Sequence, residues 1–530
     1  MSDSEVKQVR TCVWSPPGDH PVGCGMYVTV KDNKVVKVEG DPEHPVTQGR
    51  LCPRCLAIAE TVHHPDKLRH CMKRDPKYRG QADKWEEITW DEALDLIESE
   101  VTRIKKEWGP ESIVVTIGTG REATLYSSPM AFAVLQTPNY CYTMSGGSCY
   151  GPRCAVADYV LGAGYPEIDY AQYWPDRYDD PRYEVPKYVM LWGKFPLPSN
   201  PDSFFGHSLI DLMKRGTKFI SVDPRLTWLA ARSEYHIQLR PGTDAAVGLA
   251  MINVIIEEDL YDHDFVENWC YGFKKLRARA QEMPPEKAGE IAWVDPEVIR
   301  GAARAFATNH PSSIMWGLAI DTNTNGIQAG HCVLNIIALT GNYDVPGGNT
   351  LSVPATFMGK WRWETNQYVD PELFEKRVIN PTHGAFNAAR LYSMHPDEML
   401  ETMETEKPYP LKMGWYMASN MFACLNAEPK RWYEGMMKME FNVCQDIFMT
   451  PTAQGCCDLV LPVASSIEHD GIVLPHFGRN THFLGCMNKA LLDGEGKSDI
   501  EIDITVGKRL NPKAWPYDSV SDFFTDQIKP

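Results

Sequence analysis

Three cysteines and one histidine near the start of the chain have the types and spacing of a metal site. Cys12 is followed after seven residues by His20, after three more by Cys24, and after twenty-seven more by Cys52. Thiolates suit iron, and a cubane cluster takes four ligands. The spacing predicts a [4Fe–4S] cluster with one imidazole in place of a thiolate, which indicates redox work. A zinc site stays an alternative. Cys55 is a substitute ligand, although packing behind Cys52 is the simpler interpretation.

A hairpin is predicted between the third and fourth of these ligands. Residues 26–38 contain two short alternating strands on either side of Asp32 and Asn33, which are turn residues. Such a hairpin would hold Cys24 close to Cys52. The predicted cluster would therefore sit in a small β domain.

A β–α–β pattern in the middle third of the chain predicts a parallel sheet. Residues 188–193 and 218–223 are apolar runs of strand length, and residues 208–215 between them have helical spacing. Loops at the carboxyl ends of parallel strands commonly bind nucleotides. Further strands are expected at residues 111–117, 411–420 and 440–450, helices at 89–108 and 243–258, and irregular structure at 345–410.

The composition is that of an ordinary folded protein and excludes several classes of partner. Among 530 residues 43% are hydrophobic and 23% charged, so several subdomains are expected. The net charge of −17 argues against nucleic acid and anionic membranes as partners. No apolar run approaches the roughly 20 residues of a membrane-spanning helix. Without a recognisable leader, the chain is expected to be cytoplasmic, where its fifteen scattered cysteines would stay reduced.

The order of these motifs resembles one enzyme family. The run Cys-x7-His-x3-Cys-Gly, then a hairpin, then Gly-Arg-Leu-Cys-Pro-Arg at residues 49–54, is similar to the N-terminal domain of the molybdopterin oxidoreductases. These form the dimethyl-sulfoxide-reductase family of molybdenum and tungsten enzymes. Residues 251–269 are especially similar to its acetylene-hydratase-like members, and the chain as a whole most resembles these and anaerobic catabolic members. The resemblance continues at residues 85–93, 221–225, 239–246, 339–342 and 457–462.

The resemblance implies a multi-domain α/β fold with a small N-terminal β iron–sulfur domain and doubly wound parallel sheets. The domains would be residues 1–65 for the cluster, residues 66–150 with 385–530 for a first pterin dinucleotide, and residues 151–384 for a second. The family usually ends in a barrel domain that covers both pterins. That barrel is apparently missing here, so we expect it on a separate polypeptide, or the sequence is truncated.

The resemblance also implies two molybdopterin guanine dinucleotides holding one molybdenum or tungsten atom through their dithiolene sulfurs. Cys149, in a glycine-rich turn, would be the protein ligand of that metal, because glycines leave room for a bulky cofactor. Cys141 and Cys154 compete for this role, and a small buried thiol is the plainer alternative. Arg54 matches the family's basic residue between cluster and pterin, where a cation would stabilise reduced states of both centres. Otherwise Arg54 is a surface arginine.

Several residues at strand ends are candidates for binding the pterin dinucleotides. Asp223 could accept hydrogen bonds from guanine or ribose, and Arg225 and Arg240 could neutralise pyrophosphate. Taken singly, a strand-end aspartate is more often a structural cap or a solvated turn. The predicted cofactor-binding residues are Gly118, Gly120, Gly193, Lys194, Asn200, Asp223, Arg225, Arg240, Gly242, Asp244, Asn342, Asn420 and Asp458.

Two further residues are candidates for catalysis. His469, between Glu468 and Asp470, follows a predicted strand in a loop that could transfer protons, although an acidic surface turn is an equal alternative. Trp316 could line the substrate funnel, although core packing is favoured.

Three functions are compatible with these features. The first is a redox enzyme that moves an oxygen atom, a hydroxyl or a hydride at the metal and passes electrons through the cluster to an iron–sulfur partner subunit. The second is a non-redox tungsten hydratase acting on acetylene or a related small molecule. The acetylene hydratases place an aspartate after the second cluster ligand, where this chain has Pro21. The third is an electron-transfer subunit without catalysis, against which the retained Cys149 argues.

Overall fold

The structure is a computed structural model and describes residues 6–14, 23–118, 121–142, 151–162, 166–171, 174, 176–199, 205–351, 366–378, 394–424, 428–473 and 484–528. The predicted site residues His20, Gly120, Cys149 and Asn200 lie outside these ranges. Among the described helices, none has the length and apolar character needed to cross a membrane.

Eighteen strands are described. They are β1 (Val6–Val13), β2 (Cys24–Lys31), β3 (Lys34–Gly40), β4 (Cys71–Lys73), β5 (Glu86–Ile88), β6 (Ile113–Ile117), β7 (Asn139–Tyr142), β8 (Glu167–Ile168), β9 (Tyr188–Trp192), β10 (Lys218–Val222), β11 (Tyr235–Ile237), β12 (Ser312–Trp316), β13 (Asn349–Thr350), β14 (Met413–Met417), β15 (Phe441–Asp446), β16 (Leu459–Pro462), β17 (Gly471–Val473) and β18 (Gly485–Met487).

The α-helices of the described ranges are α1 (Pro53–Leu56), α2 (Ile58–Val62), α3 (Trp90–Trp108), α4 (Arg121–Pro129), α5 (Gly151–Leu161), α6 (Pro196–Ser199), α7 (Gly206–Lys214), α8 (Asp244–Glu257), α9 (His263–Trp269), α10 (Phe273–Gln281), α11 (Pro285–Ala292), α12 (Pro296–Thr308), α13 (Leu318–Asp321), α14 (Gly326–Leu339), α15 (Pro371–Phe374), α16 (Pro396–Thr405), α17 (Met421–Cys424), α18 (Pro429–Met437), α19 (Pro451–Cys456), α20 (Asp499–Leu510) and α21 (Val520–Ile528).

The predicted N-terminal hairpin is present and has a turn suited to its twist. Asp32 and Asn33 both adopt positive φ angles, 51° and 58°, between β2 and β3. Two left-handed residues match the right-handed twist of the flanking strands. β1 adds on the other side of β2, antiparallel, so that Cys12 lies opposite Gly25. The three strands place two of the predicted ligands on adjacent strand ends.

The first compact unit contains this small sheet and a large one. It comprises the described residues of 1–147, 355–474 and 484–530. The large sheet has the strand order β5-β4-β16-β15-β14-β6-β7. Its strands β16, β15, β14, β6 and β7 run parallel to one another. At the edge, β4 pairs antiparallel with β16, and β5 pairs antiparallel with β4. The predicted parallel arrangement is therefore confirmed, with an antiparallel edge.

The second compact unit comprises the described residues of 148–354 and has a four-stranded parallel sheet. Its order is β11-β10-β9-β12, and β8 pairs with β13 beside it. The crossover from β9 to β10 passes through α7, as the β–α–β pattern predicts. Helices α8 and α14 are apolar on most faces and buried, which covers the sheet. The three-domain boundaries predicted from the sequence stay a prediction.

Two local expectations differ from the structure. Residues 345–410 were expected to be irregular, but within their described part α16 is a regular helix, which begins with a reciprocal cap between His395 and Glu398. The helix predicted over residues 243–258 begins one residue later, at Asp244, because the hydroxyl of Thr243 donates to the carbonyl of Arg240 (2.6 Å) and does not cap α8. In both places, hydrogen bonds between residues a few positions apart decide where the helix begins.

Candidate redox site and its buried acid cluster

Three of the four predicted cluster ligands are described, and all are buried cysteines that form no disulfide. Cys12 lies near the end of β1, Cys24 begins β2, and Cys52 is the residue before α1. Their exposed fractions are 7%, 2% and 1%. None of the fourteen cysteines among the described residues forms a disulfide. Soft, buried thiols suit an iron–sulfur cluster by their chemistry. Within the described ranges, which leave out His20, no three His, Cys, Asp or Glu side chains are arranged to hold a metal ion.

The thiols of Cys12 and Cys52 are protonated unless a metal displaces their protons. Burial raises the pKa of Cys12 to about 12. A hydrogen bond with the Cys55 side chain, together with burial, raises the pKa of Cys52 above its ordinary value. Ligands of this kind release their protons when the metal binds. Cys55 is fully buried behind Cys52, which agrees with the simpler interpretation of that residue.

His44 lies beside this thiol set, and reasoning from sequence missed it. Its Nε2 is 3.7 Å from the Sγ of Cys12, and its Nδ1 accepts a hydrogen bond from the backbone amide of Thr47 (3.0 Å). Burial lowers the pKa of His44 to about 4. The signal available in the sequence was only its position in the turn between the hairpin and Cys52.

His469 is buried with a carboxylate partner and is not in an acidic surface turn. It follows β16, is 4% exposed, and its Nδ1 donates to the carbonyl of Asp470 (3.0 Å). Its Nε2 is 3.4 Å from the Oε2 of Glu122 on α4. Burial alone would lower the pKa of His469, but the nearby Glu122 carboxylate raises it to about 9. The pair can therefore hold one proton between an imidazole and a carboxylate.

Further acids surround this pair at the carboxyl edge of the large sheet. Asp499 begins α20 and accepts a hydrogen bond from Gln445 at the end of β15 (2.5 Å). Burial, reinforced by Glu122, raises the pKa of Asp499 to about 7. Burial also raises the pKa of Asp446 to about 6. One turn along α20, Asp503 is fully buried, and among the described residues neither of its carboxylate oxygens has a hydrogen-bond partner.

These residues form what we call the acid cluster: Glu122, Asp446, His469, Asp499 and Asp503, with Tyr126 packed beside them. Burial raises the pKa of Asp503 well above its ordinary value. Neutral carboxyls next to an imidazolium are a store of protons close to neutral pH. The sequence signal for Asp499 and Asp503 was their separation by four residues among buried isoleucines.

The acid cluster predicts that stability falls as pH rises. The His469 contribution is complete below its ordinary pKa of 6.5 and is lost as pH rises through about 9. Burial of Asp499 favours the neutral form of its carboxyl in the folded protein. Its contribution to stability is therefore complete below pH 3.8, its ordinary pKa, and falls as the pH rises to about 7. We expect His469→Gln to remove the decline between pH 6.5 and 9, worth about 3 kcal/mol at about 1.4 kcal/mol per pKa unit. Asp499→Asn should remove the decline below pH 7.

Chemical denaturation across this pH range would measure both effects. His263→Gln is the matched control, since the His263 side chain is 61% exposed beside an equally exposed Asp259. Its stability profile should coincide with that of the unmodified protein. If His469→Gln keeps the full alkaline decline, the imidazole does not hold its proton in the way described.

In the second unit, three strand ends meet at the carboxyl edge of the four-stranded sheet. The amide of Gly193 donates to Val222, and that of Gly317 donates to Trp192, each over 2.9 Å. Gly193 has a φ of +58°, which favours glycine. Lys194 follows it, with its Nζ 4.5 Å from the ring centre of Phe205. The structure thus brings the predicted Gly193 and Lys194 to a sheet edge of the nucleotide-binding kind.

Asp223 and Arg225 also lie at this edge, and they pair with each other. The guanidinium of Arg225 donates to both carboxylate oxygens of Asp223, each over 3.1 Å. Asp223 is buried, whereas the Arg225 side chain is 69% exposed. Arg240 is exposed with its guanidinium over the Trp293 ring (5.1 Å), and Gly242 lies in the turn before α8. Exposed guanidinium groups beside strand ends fit the phosphates of a dinucleotide.

Other predicted residues of this unit have structural partners in the core. Asp244 accepts a hydrogen bond from the indole of Trp192 (2.9 Å), and burial raises its pKa. Asn342 is buried and accepts from the amide of Ser312 (2.9 Å). Trp316 is fully buried and donates to the carbonyl of Pro166 (3.0 Å). Core packing thus accounts for Trp316, in agreement with the favoured interpretation.

The carbonyl of Trp316 is also held by a buried ion pair. Arg153 donates to it over 2.9 Å and pairs with Asp321 over 2.5 Å. Burial raises the pKa of Asp321 to about 6, against the opposing effect of Arg153.

The two candidates that compete with Cys149 differ in setting, since Cys141 is fully buried in β7 and Cys154 is half-buried in α5.

The remaining predicted residues belong to the first unit. The amide of Gly118 donates to Met417 (3.3 Å), and the side chain of Asn420 accepts from the hydroxyl of Thr452 (3.0 Å). Arg54 is half-buried within α1. Asp458 is 2% exposed and forms a two-pronged ion pair with Arg79.

A cavity of about 590 Å³ opens next to Asp458. It is lined by charged and aromatic residues that include Trp85, Lys84 and Arg103. Lys84 pairs with Asp83 (2.8 Å), and Arg103 pairs with Glu100 (2.7 Å). These cations are neutralised within the protein, so the cavity is a poor match for an anionic dinucleotide.

Comparison with known proteins agrees with this geometry. Residues 73–509 match the molybdopterin oxidoreductase family, and residues 21–64 match the molybdopterin oxidoreductase Fe4S4 domain. The chain therefore belongs to the molybdopterin oxidoreductase family. The predicted family, fold and cofactors are confirmed at this level: a molybdopterin with molybdenum or tungsten and a [4Fe–4S] cluster are typical of these proteins.

Individual relatives include both hydratases and oxidoreductases. The acetylene hydratase of Syntrophotalea acetylenica is 32% identical over 83% of this chain and 61% of that protein. The F420-dependent formate dehydrogenase subunit alpha of Methanocaldococcus jannaschii is 27% identical over 85% of this chain and 63% of that protein. The structural match to acetylene hydratase from Pelobacter acetylenicus covers 98% of this chain and 71% of that chain, with a TM-score of 0.85 and 27% sequence identity. The chain spans about three fifths of the length of these curated relatives.

Proposed function

We propose that this chain is a catalytic subunit that passes electrons between a small-molecule substrate, held at a molybdenum or tungsten bis-pterin centre, and a [4Fe–4S] cluster. The observation that carries this proposal is the set of three buried thiols, Cys12, Cys24 and Cys52, positioned by two strand ends and a helix start. Together with His20 they would hold the cluster. When bound, the heavy metal supplies two-electron chemistry, and the cluster supplies one-electron transfer.

The residues of the chain have distinct parts in this function. Arg225 and Arg240 would bind phosphate groups of the dinucleotide, and Arg54 would place a positive charge two residues after Cys52. Cys149 would ligate the heavy metal. His469 and Glu122 would hold the proton that accompanies reduction, because their shared site stays protonated to about pH 9. An iron–sulfur electron-transfer subunit would receive or supply the electrons.

A tungsten hydratase acting on acetylene or a related unsaturated substrate is the second candidate. Its support is the 32% identity to an acetylene hydratase and the structural similarity to a solved acetylene hydratase, with a TM-score of 0.85. In such a function the same acid cluster would supply a proton during addition of water, without net electron transfer. The third candidate, an electron-transfer subunit without catalysis, would hold the cluster and no pterin.

Anaerobically prepared protein would distinguish these candidates. Metal and pterin assays come first: we expect iron together with molybdenum or tungsten and a bis-pterin, whereas iron without pterin would support the third candidate. Turnover is then measured with a viologen dye and a panel of oxyanion, formate and hydroxylated aromatic substrates, and separately with acetylene. Dye-linked turnover is the expected result. Acetylene hydration without any dye-linked reaction would overturn the redox proposal in favour of the hydratase.

A further inference from the structure

His44 is fixed in a tight turn that brings its ring onto the strands bearing Cys12 and Cys24. The turn is closed by Asp41, whose carbonyl accepts from Gly49 (2.8 Å) and whose side chain accepts from the amide of Glu43 (3.0 Å). The ring lies so close to Gly25 that a Cβ at that position would be 2.4 Å from its Cδ2. Only glycine fits there, directly after Cys24 and opposite Cys12.

The hydrogen bonds of His44 decide which nitrogen carries the proton. The backbone amide of Thr47 donates to Nδ1 over 3.0 Å, and the Thr47 hydroxyl lies 2.9 Å from the same nitrogen. A backbone amide can only donate, so Nδ1 is an acceptor and the proton of the neutral ring is on Nε2. That Nε2–H faces the Sγ of Cys12 at 3.7 Å, within hydrogen-bonding reach of sulfur. The imidazole is therefore oriented as a donor to a thiolate.

We propose that His44 donates an Nε2–H···Sγ hydrogen bond to cluster-bound Cys12 and thereby raises the reduction potential of the [4Fe–4S] cluster. This inference rests on the proposed ligation of the cluster by Cys12. Reduction adds negative charge to the cluster and its sulfur ligands, and a donor aimed at one sulfur stabilises the more negative state. His44 is a positioning residue in this role, since it acts through Cys12. Its burial excludes water that would otherwise compete for the sulfur.

The test is a potentiometric titration of the cluster in anaerobically prepared protein, followed by electron paramagnetic resonance. His44→Phe keeps a planar ring but removes the N–H, and we expect a more negative potential. His44→Gln keeps an N–H donor on a more flexible side chain of similar reach, and its potential should lie nearer to that of the unmodified protein. His63→Phe is the matched control: His63 is in the same domain, but its Nε2 accepts a hydrogen bond from the amide of Val35 (3.0 Å). Its potential should be unchanged.

Each outcome bears on the proposal. An intact cluster with an unchanged potential in His44→Phe overturns it, as does an equal shift in His63→Phe. If His44→Phe holds no cluster, protein labelled with nitrogen-15 histidine decides by pulsed resonance: besides the two nitrogens of the proposed ligand His20, one further weakly coupled nitrogen should be present in the unmodified protein and absent from His44→Gln. Its absence from the unmodified protein also overturns the proposal. A lack of iron in the unmodified protein would instead contradict the proposed function itself.

Discussion

The Cys52→Ala variant should be isolated without its [4Fe–4S] cluster, whereas Cys55→Ala should retain it. Cys52 precedes α1 and is proposed as the fourth ligand, so its loss leaves an iron atom without a protein donor. Cys55 is fully buried among apolar side chains of the small domain, which include Ile58 and Val62. Its thiol is a neighbour of Cys52 and is not a donor in the proposed ligand set. Iron content, visible absorbance and resonance of the reduced protein would measure the difference.

Cys55→Ala is the matched control because it removes another buried thiol, three residues along the chain within α1. Any loss of packing common to both variants would appear in it as a lower melting temperature with full iron content. Loss of the cluster in Cys55→Ala and its retention in Cys52→Ala would mean that the ligand assignment is reversed. Zinc without iron in the unmodified protein would support the structural zinc site that the spacing also allowed.

The Arg79→Met variant should lose about 3–5 kcal/mol of stability, the usual cost of breaking a buried ion pair from one side. The guanidinium of Arg79 donates to both oxygens of Asp458, and both side chains are 2% exposed. Burial raises the pKa of Asp458 and Arg79 opposes that effect, so without Arg79 the carboxyl would take up a proton or remain an unpaired buried charge. The loss should therefore shrink at acidic pH. Denaturant midpoints followed by circular dichroism would measure it.

Lys77→Met provides the control for this experiment. Lys77 pairs with Asp75 over 2.8 Å, but the two side chains are 62% and 49% exposed. Water screens such a pair, so the midpoint should not move. Asp458 was predicted from the sequence to bind a pterin dinucleotide. An Arg79→Met protein with unchanged stability and reduced pterin content would favour that cofactor role over the structural one.

The buried acid cluster gives the proposed redox function a physical basis for coupling protons to electrons. His469 holds a proton beside the Glu122 carboxylate, and burial raises the pKa of Asp499 to about 7 and that of Asp503 well above its ordinary value. Adding an electron to a nearby centre increases the affinity of such groups for protons. A hydratase would also find a proton donor in this cluster, so the dye-linked and acetylene assays remain the deciding measurements.

The sequence by itself determined the local elements and the family. Two turn residues fixed the hairpin at Asp32 and Asn33, and the capping pair of Thr89 and Glu92 fixed the start of α3. The β–α–β pattern fixed the parallel sheet of the second unit. Each of these features depends on neighbours within a few residues, so periodicity and turn chemistry suffice to predict it. The ordered motifs then indicated the family and its cofactors.

Only the tertiary structure decided which polar residues meet. Asp458 and Arg79 are separated by 379 residues, and His469 reaches Glu122 from a different element. His44 reaches Cys12 across 32 residues through a turn whose course depends on Asp41 and Gly25. The burial that changes the pKa of Asp499, and the orientation that makes His44 a donor, arise from packing between distant segments. Residue type and spacing cannot specify such contacts, because they encode local preference and not long-range partners.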